Sequence, residues 1–308
     1  MSKDILVIGG TRFIGRLLVQ RLVQAGHRVT IATRGYAPDP FGDRIARVRV
    51  DRRNELAMHN AFAHARFDIV FDQMCYSPLD AAIAVRSFAG KVGRYVMTST
   101  IDVYRSLGFG GAAPLAESEL AVDAQPIDTR YPWHDPRLAT ECYVSGKLQA
   151  EAYLVRDGSL PLVTPRLGHV LAGPEDSTGR QAHYVELARV RGRLDYSRRD
   201  AAQSFMTAHA AADFLAWTGM QDFSGPVNAA SDGPLSAADL YERVGDVLDT
   251  EVALRQARVP AEPGRLSPFD LPGAMVMDTT RAKELGYRFD HTDDWLDLII
   301  RQHDLAFV

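Results

Sequence analysis

A tyrosine and a lysine four residues apart, Tyr143 and Lys147 in "YVSGK", have the types and spacing for proton chemistry. On a helix such a pair lies on one face, a turn apart. An ammonium beside a phenol stabilises the phenolate and lowers the phenol's pKa, so the pair can exchange a proton with a substrate hydroxyl or carbonyl near neutral pH. Upstream, "TSTIDVY" (Thr98 to Tyr104) closes a strand-like run, and the Thr100 hydroxyl is placed to orient that same oxygen. A Tyr-x-x-x-Lys match is also frequent as a purely structural feature, so its weight depends on what precedes it.

What precedes it is "VIGGTRFIG", Val7 to Gly15, at the end of an apolar run near the N-terminus. A strand, a glycine turn and an amphipathic helix aim unpaired backbone N–H groups and the helix dipole at a phosphate. Gly9, Gly10, Thr11, Arg12, Phe13, Ile14 and Gly15 are the candidate cofactor-binding turn, with Gly9 for the tight turn and Gly15 for close helix–sheet packing. Arg12 stands where a middle glycine would admit a pyrophosphate. An acidic residue at the end of the second strand would bind the ribose 2′-hydroxyl of NAD. In "IATRG" that place holds Thr33 and Arg34, with no carboxylate. An arginine there suits a 2′-phosphate, because its planar fork donates bidentately to phosphate oxygens. Arg12 would reach the same phosphate from the other side, so NADP is expected over NAD. The bland alternative is two solvated arginines. Asp51, after the third strand, is a candidate for the adenine amino group or a simple turn residue.

The elements that must position these residues alternate along the first half. "DILVIGG", "RVTIATRG", "RIARVRVD", "FDIVFDQM", "GRYVMTST" and "LPLVTPRLG" read as strands. Between them, helical patterns run from Phe13 to a Gly26 cap, from Asn54, over Ala81–Phe88, and through "SGKLQAEAYLV". Continuous apolar strands separated by single helices predict an α/β Rossmann-type fold, a doubly wound parallel sheet with helices on both faces. Such a sheet binds ligands at the C-terminal ends of its strands, where every residue named above falls. Past Gly168 the pattern is less regular. "HYVELARVRGR", "SAADLYERVGDVL" and "TDDWLDLIIRQH" look helical, and "VPAEPGRLSPFDLPG" reads as a loop. The expected organisation is a dinucleotide-binding domain over 1–167, regained around 204–230, and a smaller C-terminal substrate domain over most of 168–308.

The whole chain has 308 residues, 46% hydrophobic and 24% charged, with a formal net charge of −4. That balance gives no global electrostatic case for nucleic acid or an anionic membrane. Cys75 and Cys142 have neither metal-ligand nor redox spacing and are expected to be buried, inert thiols; no metal site is expected. With no long apolar span and no signal-peptide pattern, the chain reads as cytoplasmic.

These stretches together resemble an extended short-chain dehydrogenase/reductase of the NAD-dependent epimerase/dehydratase group. "GGTRFIG…GHRVTIATRG" is most similar to its atypical branch, which includes chloroplast stem-loop-binding proteins and bacterial reductase-like relatives. The likeness continues through "LPLVTPRLGHVLAGP", "PVNAASDGPLS" and "DTTRAKELGYRF". It implies that Thr100, Tyr143 and Lys147 are the catalytic hydroxyl, the general acid/base and its partner, with Lys147 also holding the nicotinamide ribose. It implies, too, that Arg166, Leu167 and Gly168 line the cleft near the nicotinamide, and it allows a homodimer through the helices flanking the central strands.

Two departures narrow the function. Dehydratases of the group carry an Asp-Glu pair after the catalytic threonine, where this chain has Ile101 and Asp102, which argues against 4,6-dehydration. Nucleotide-sugar enzymes often hold the substrate pyrophosphate with an arginine near the place of Gln203, while Arg198 and Arg199 lie a few residues earlier. The stretch between Tyr104 and Tyr143 is longer than usual for the group. It suggests a substrate lid, in which Trp133 would pack and His134 would sit at the surface. The leading expectation is an NADP(H)-dependent oxidoreductase acting on a small molecule, at a secondary alcohol or ketone of a polar, sugar-like or natural-product substrate. The alternatives are a nucleotide-sugar epimerase working through a transient ketone and a non-enzymatic nucleotide- or RNA-binding protein.

Overall fold

A computed structural model describes residues 1–109, 113–176, 178–258 and 263–306. The glycines at 110 and 111 in "GFGGAAPL" and the start of the loop expected over 259–273 lie outside the described residues.

The strand-like runs form β1 (Asp4–Ile8), β2 (Arg28–Thr33), β3 (Ala46–Arg49), β4 (Phe67–Asp72), β5 (Val92–Met97), β6 (Ser99–Thr100) and β7 (Leu162–Leu167). After β8 (His169–Leu171), β9 (Arg193–Tyr196) and β10 (Phe205–Thr207) comes β11 (Gly225–Ala229), and β12 (Ala253–Gln256) is last. The helices are α1 (Phe13–Gln24), α2 (Glu55–Phe62), α3 (Pro78–Phe88), α4 (Ala139–Asp157), α5 (Arg180–Arg189), α6 (Ala208–Gly219), α7 (Ala237–Val247), α8 (Thr280–Glu284) and α9 (Leu296–Leu305).

The main sheet has the order β11-β7-β5-β4-β1-β2-β3, with β6 paired to β7. The ladders linking β3, β2, β1, β4, β5 and β7 are parallel. Successive side chains of a strand point to opposite faces. On one face Leu6, Ile8, Val70, Tyr95 and Met97 pack against Met58 and Phe62 of α2, Phe88 of α3 and Leu154 of α4. On the other, the Phe71 ring lies so close to Gly219 of α6 that a Cβ there would come within 2.3 Å. This is the Rossmann-type doubly wound α/β arrangement the strand pattern predicts. Local sequence sets the helix starts: Asn54 caps α2 by accepting from Ala57 N at 3.0 Å, and Ser77 caps α3, which has a proline in its first turn.

The chain divides into two compact units, Met1–Val103 with Glu117–Arg166 and Ala211–Val227, and Tyr104–Ala116 with Leu167–Ala210 and Asn228–Val308. Residues 104–116, which a boundary at 167 would leave in the first unit, group with the second. Leu115 bridges Met277, and its carbonyl accepts from Asn228 Nδ2 at 2.8 Å. In the second unit β8 pairs β10 and β9 pairs β12, both parallel. Its core gathers Tyr184, Phe205, Tyr241, Phe269, Trp295 and Ile300, with Tyr184 stacked on Phe269 at 5.8 Å.

Two readings change. The helix expected to run to Arg193 ends at Arg189, because Arg191 takes φ 50° and Gly192 N turns back to Leu187 O at 2.8 Å, releasing 193–196 to pair as β9. The stretch expected as a lid is in part fastened down: Arg156 Nε of α4 donates to Asp123 O at 2.8 Å, and buried Trp133 donates from Nε1 to Asp128 O at 2.7 Å. His134 is exposed. Both cysteines are buried, and burial raises both thiols above their ordinary range. Among the described residues no helix is long and apolar enough to cross a membrane.

Candidate active site

The glycine turn begins where β1 ends. Gly9 takes φ +93° and donates its N–H to Ala32 O of β2 at 3.1 Å. A Cβ on Gly15 would fall 2.3 Å from Gly9 O, so only glycine lets α1 close onto the turn. Gly10 is buried, while Thr11, Phe13 and Ile14 are half-buried. Phe13 holds φ 48°, a strained conformation for a residue with a side chain. Arg12 is the N-cap of α1 and makes no side-chain cap, which leaves the first-turn N–H groups to a ligand or water. Close by, Gln73 Nε2 and Thr98 Oγ1, at the ends of β4 and β5, are buried without a hydrogen-bond partner among the described residues. A phosphate cradle flanked by unpaired buried polar atoms fits a dinucleotide.

The outer side of this turn is cationic. Arg12 and Arg34 are both exposed, and the Arg34 guanidinium lies 5.2 Å over the Tyr36 ring. The β2–β3 register sets Arg49 opposite Thr33, and Arg49 Nε donates to Arg34 O at 3.1 Å. Arg49 therefore emerges beside Arg34 as a third arginine at this edge. Asp51 is exposed, and its carboxylate accepts from Arg53 N at 2.9 Å, a turn contact that leaves its second oxygen open to solvent.

Along the sheet, α4 brings the proton-transfer candidates together. Lys147 is 3% exposed, and its Nζ donates to Thr98 O at 2.7 Å, two residues before Thr100. Tyr143, one turn earlier, is 38% exposed, so the phenol reaches solvent while the ammonium below it does not. The Thr100 hydroxyl is buried and donates to Asp102 Oδ2 at 3.2 Å. Burial pushes Lys147 below the ordinary ammonium range, against the pull of Cys75, Asp72 and Asp80. A desolvated cation beneath a half-exposed phenol is the arrangement proton exchange with a bound carbonyl requires.

Residues 5–82 match the NAD dependent epimerase/dehydratase family. The matched relatives include 2′-dehydrokanamycin reductase of Streptomyces kanamyceticus, 31% identical over 140 residues. They also include the chloroplast stem-loop binding protein of 41 kDa b of Arabidopsis thaliana, 35% identical over 116 residues. These matches cover 42% and 33% of this chain, and the chain spans only 39% and 30% of the length of the two relatives. Solved structures agree along the whole chain. The UDP-glucose 4-epimerase of Thermotoga maritima, solved with UDP-glucose, superposes with a TM-score of 0.74 at 17% identity, covering 99% of both chains. The Bordetella bronchiseptica enzyme WbmH, in complex with NAD+, gives 0.72 at 16% identity, covering 100% of both. The chain belongs to the NAD dependent epimerase/dehydratase family. By its name the family uses a nicotinamide dinucleotide.

Not every residue carried over by likeness to this epimerase/dehydratase family stands where expected. Arg166 is 0% exposed, and its guanidinium is committed to Glu151, with Nη2 2.7 Å from Oε2. It is an internal ion pair and not a cofactor ligand; the Glu151 carboxylate also accepts from Ser99 Oγ and so ties β7, α4 and β6 together. Leu167 is buried beside it, and Gly168 N bonds Ala229 O at 2.8 Å. Gln203 spends its amide N–H groups on Ala201 O and Gly273 O at 2.9 and 3.1 Å. Arg198 pairs with Asp200 at 2.6 Å, and Arg199 pairs with Glu242.

The sequence reading missed Arg49, Glu151 and a buried cluster in which Arg52 donates to Asp72 Oδ2 at 2.5 Å and to Asp80 O at 2.8 Å. Glu151 carried a signal, since it continues the Tyr143–Lys147 face by one more turn. Arg49 carried one too, as a cation at the C-terminal end of a strand. The Arg52 cluster joins residues 20 and 28 positions apart and had none.

Proposed function

We propose that this protein is an NADP(H)-dependent reductase of a ketone on a polar, sugar-like molecule. The observation that carries the reading is the buried Lys147 ammonium a helical turn below the solvent-reaching Tyr143 phenol, with Thr100 alongside and the glycine cradle on the same sheet edge. The dinucleotide, when bound, supplies the hydride. The cradle of Gly9 to Gly15 would hold its diphosphate, and Lys147 its nicotinamide ribose. Tyr143 gives its proton to the substrate oxygen, and Thr100 donates a hydrogen bond to the charge that builds there. The proton that leaves Tyr143 is easier to lose because Lys147 stabilises the phenolate.

Arg34 and Arg49 favour NADP, because two exposed guanidinium groups meet at the end of β2 where NAD binding calls for a carboxylate. A ketone rather than a nucleotide sugar is favoured by Gln203, Arg198 and Arg199, all engaged within the protein and none offering a free cation to a substrate pyrophosphate. The Streptomyces relative is by name a reductase of 2′-dehydrokanamycin, and the likeness of sequence supports a related reaction class. The test is stoichiometric NADPH consumption with a panel of keto-sugars and keto-aminoglycosides. Turnover with NADPH supports the reading. Interconversion of UDP-sugar epimers without net cofactor consumption would establish the epimerase instead, and salt-sensitive RNA binding without turnover the binding protein.

A further inference from the structure

Tyr76 lies just before the Ser77 cap of α3, outside any motif, yet its ring touches both members of the proton-transfer pair. Lys147 Nζ sits 4.3 Å from the centroid of the Tyr76 ring, over its face. The Tyr143 ring is 6.0 Å away, inclined by 44°. The approach is built into the backbone: a Cβ on Gly146 would come within 2.1 Å of Tyr76 O, so glycine at this position is what allows α4 to close on the Tyr76 main chain. Tyr76 is itself anchored, its N–H donating to Asp80 Oδ2 at 3.0 Å.

We infer that Tyr76 is a positioning residue for the Tyr143–Lys147 pair, its ring face holding the buried ammonium beneath the Tyr143 phenol. The inference rests on the proposed roles of Tyr143 and Lys147. Nζ has three donors to satisfy in a site it shares with little water, and Thr98 O takes one of them. An aromatic face supplies negative potential to a cation with no acceptor atom, and does so most strongly where water is excluded. The hydroxyl of Tyr76 is not the active part. Burial, and next the neighbouring Tyr143, raise it above the ordinary phenol range, so Tyr76 stays neutral. The remaining charges around Lys147 are Asp72 at the end of β4, Asp80 in α3, Arg52 after β3 and the Cys75 thiol. Of these, Arg52 already bonds Asp72 and lies 3.6 Å from Asp80. Without the ring face the ammonium loses a restraint and is easier to deprotonate, and either change weakens its field at Tyr143.

The experiment reads Tyr143 directly and needs no substrate. Phenolate absorbance is titrated for the intact protein and for Tyr143→Phe, and the difference gives the Tyr143 pKa. The same subtraction is made in Tyr76→Phe, Tyr76→Leu and Tyr76→4-cyanophenylalanine backgrounds. The last keeps the shape of the ring but makes its face electron-poor. The expected result is an unchanged Tyr143 pKa in Tyr76→Phe and a rise of about half a pH unit or more in both other variants. A Tyr143 pKa that is unmoved by Tyr76→Leu overturns the inference. So does a 4-cyanophenylalanine variant that behaves like Tyr76→Phe, which would leave only packing, or a Tyr76→Phe shift as large as that of Tyr76→Leu, which would point to the hydroxyl. If Tyr76→Leu does not fold, the 4-cyanophenylalanine variant decides. Failure of the reductase reading would show separately, as absence of NADPH turnover with a normal titration.

Discussion

Tyr143 and Lys147 divide one task by their exposure: the phenol meets the substrate, and the ammonium, shut away from water, acts on the phenol. Removing the phenolic proton in Tyr143→Phe should lower turnover by about 10²–10⁴-fold while leaving the NADP dissociation constant within a factor of about two. Comparison of single-turnover rates with calorimetric binding checks this, and unchanged turnover would sink the mechanism. The arginines at the end of β2 separate in the same way. Arg34→Ser with Arg49→Ser should weaken NADP by about 10–100-fold, the loss of one or two charge-assisted hydrogen bonds, and leave NAD nearly unaffected. Tighter NAD than NADP binding by the unmodified protein would refute the clamp.

Helix α4 carries three duties on successive turns of one face: Tyr143 for the proton, Lys147 for the charge, and Glu151 for the anchor to Arg166 of β7 and Ser99 of β6. The Glu151–Arg166 pair is almost wholly buried, at 1% and 0% exposure, so each charge depends on the other. Arg166→Met should destabilise the fold by about 3–5 kcal/mol, because it strands the Glu151 carboxylate in the interior. Arg166→Met combined with Glu151→Leu should recover much of that loss. Chemical denaturation of the two variants is the check, and a double variant no more stable than the single one would show that the pair does more than cancel its own charges.

Across the whole molecule, two histidines link stability to pH. His27, between α1 and β2, accepts Lys3 N on Nδ1 at 3.2 Å, a contact its protonated form cannot make. Burial lowers its pKa below 6.5, helped by the N-terminal ammonium and Lys3. His183 in α5 is lowered as well, chiefly by burial. A histidine with a depressed folded pKa binds protons more readily when unfolded. Its contribution is therefore full above about pH 6.5 and is lost as the pH falls through the lower folded value. The unfolding midpoint should drop between pH 7.5 and 5.5, and replacing His27 and His183 by Asn and Gln should flatten that drop. Thermal melts across this range test it; an unchanged slope in the double variant would rule these histidines out.

The sequence by itself determined the parallel sheet, the glycine turn and the Tyr143–Lys147 face. Each depends on local periodicity or on spacing within one helix or one turn, and local backbone geometry fixes those contacts wherever the chain lies. It also showed Arg34 in place of a carboxylate, since the end of a strand can be read from its neighbours. Tertiary structure alone decided that Arg166 is an anchor inside the protein and that Arg49 stands beside Arg34. It also set Tyr76 against Lys147. These are contacts between elements far apart in the chain, formed only when β7 meets α4, when β2 and β3 fall into register, and when Gly146 lets α4 settle on the loop before α3. A side chain's type announces what it can do; what it meets is set by packing, which is why one arginine reads as a ligand in the sequence and is buried in the fold.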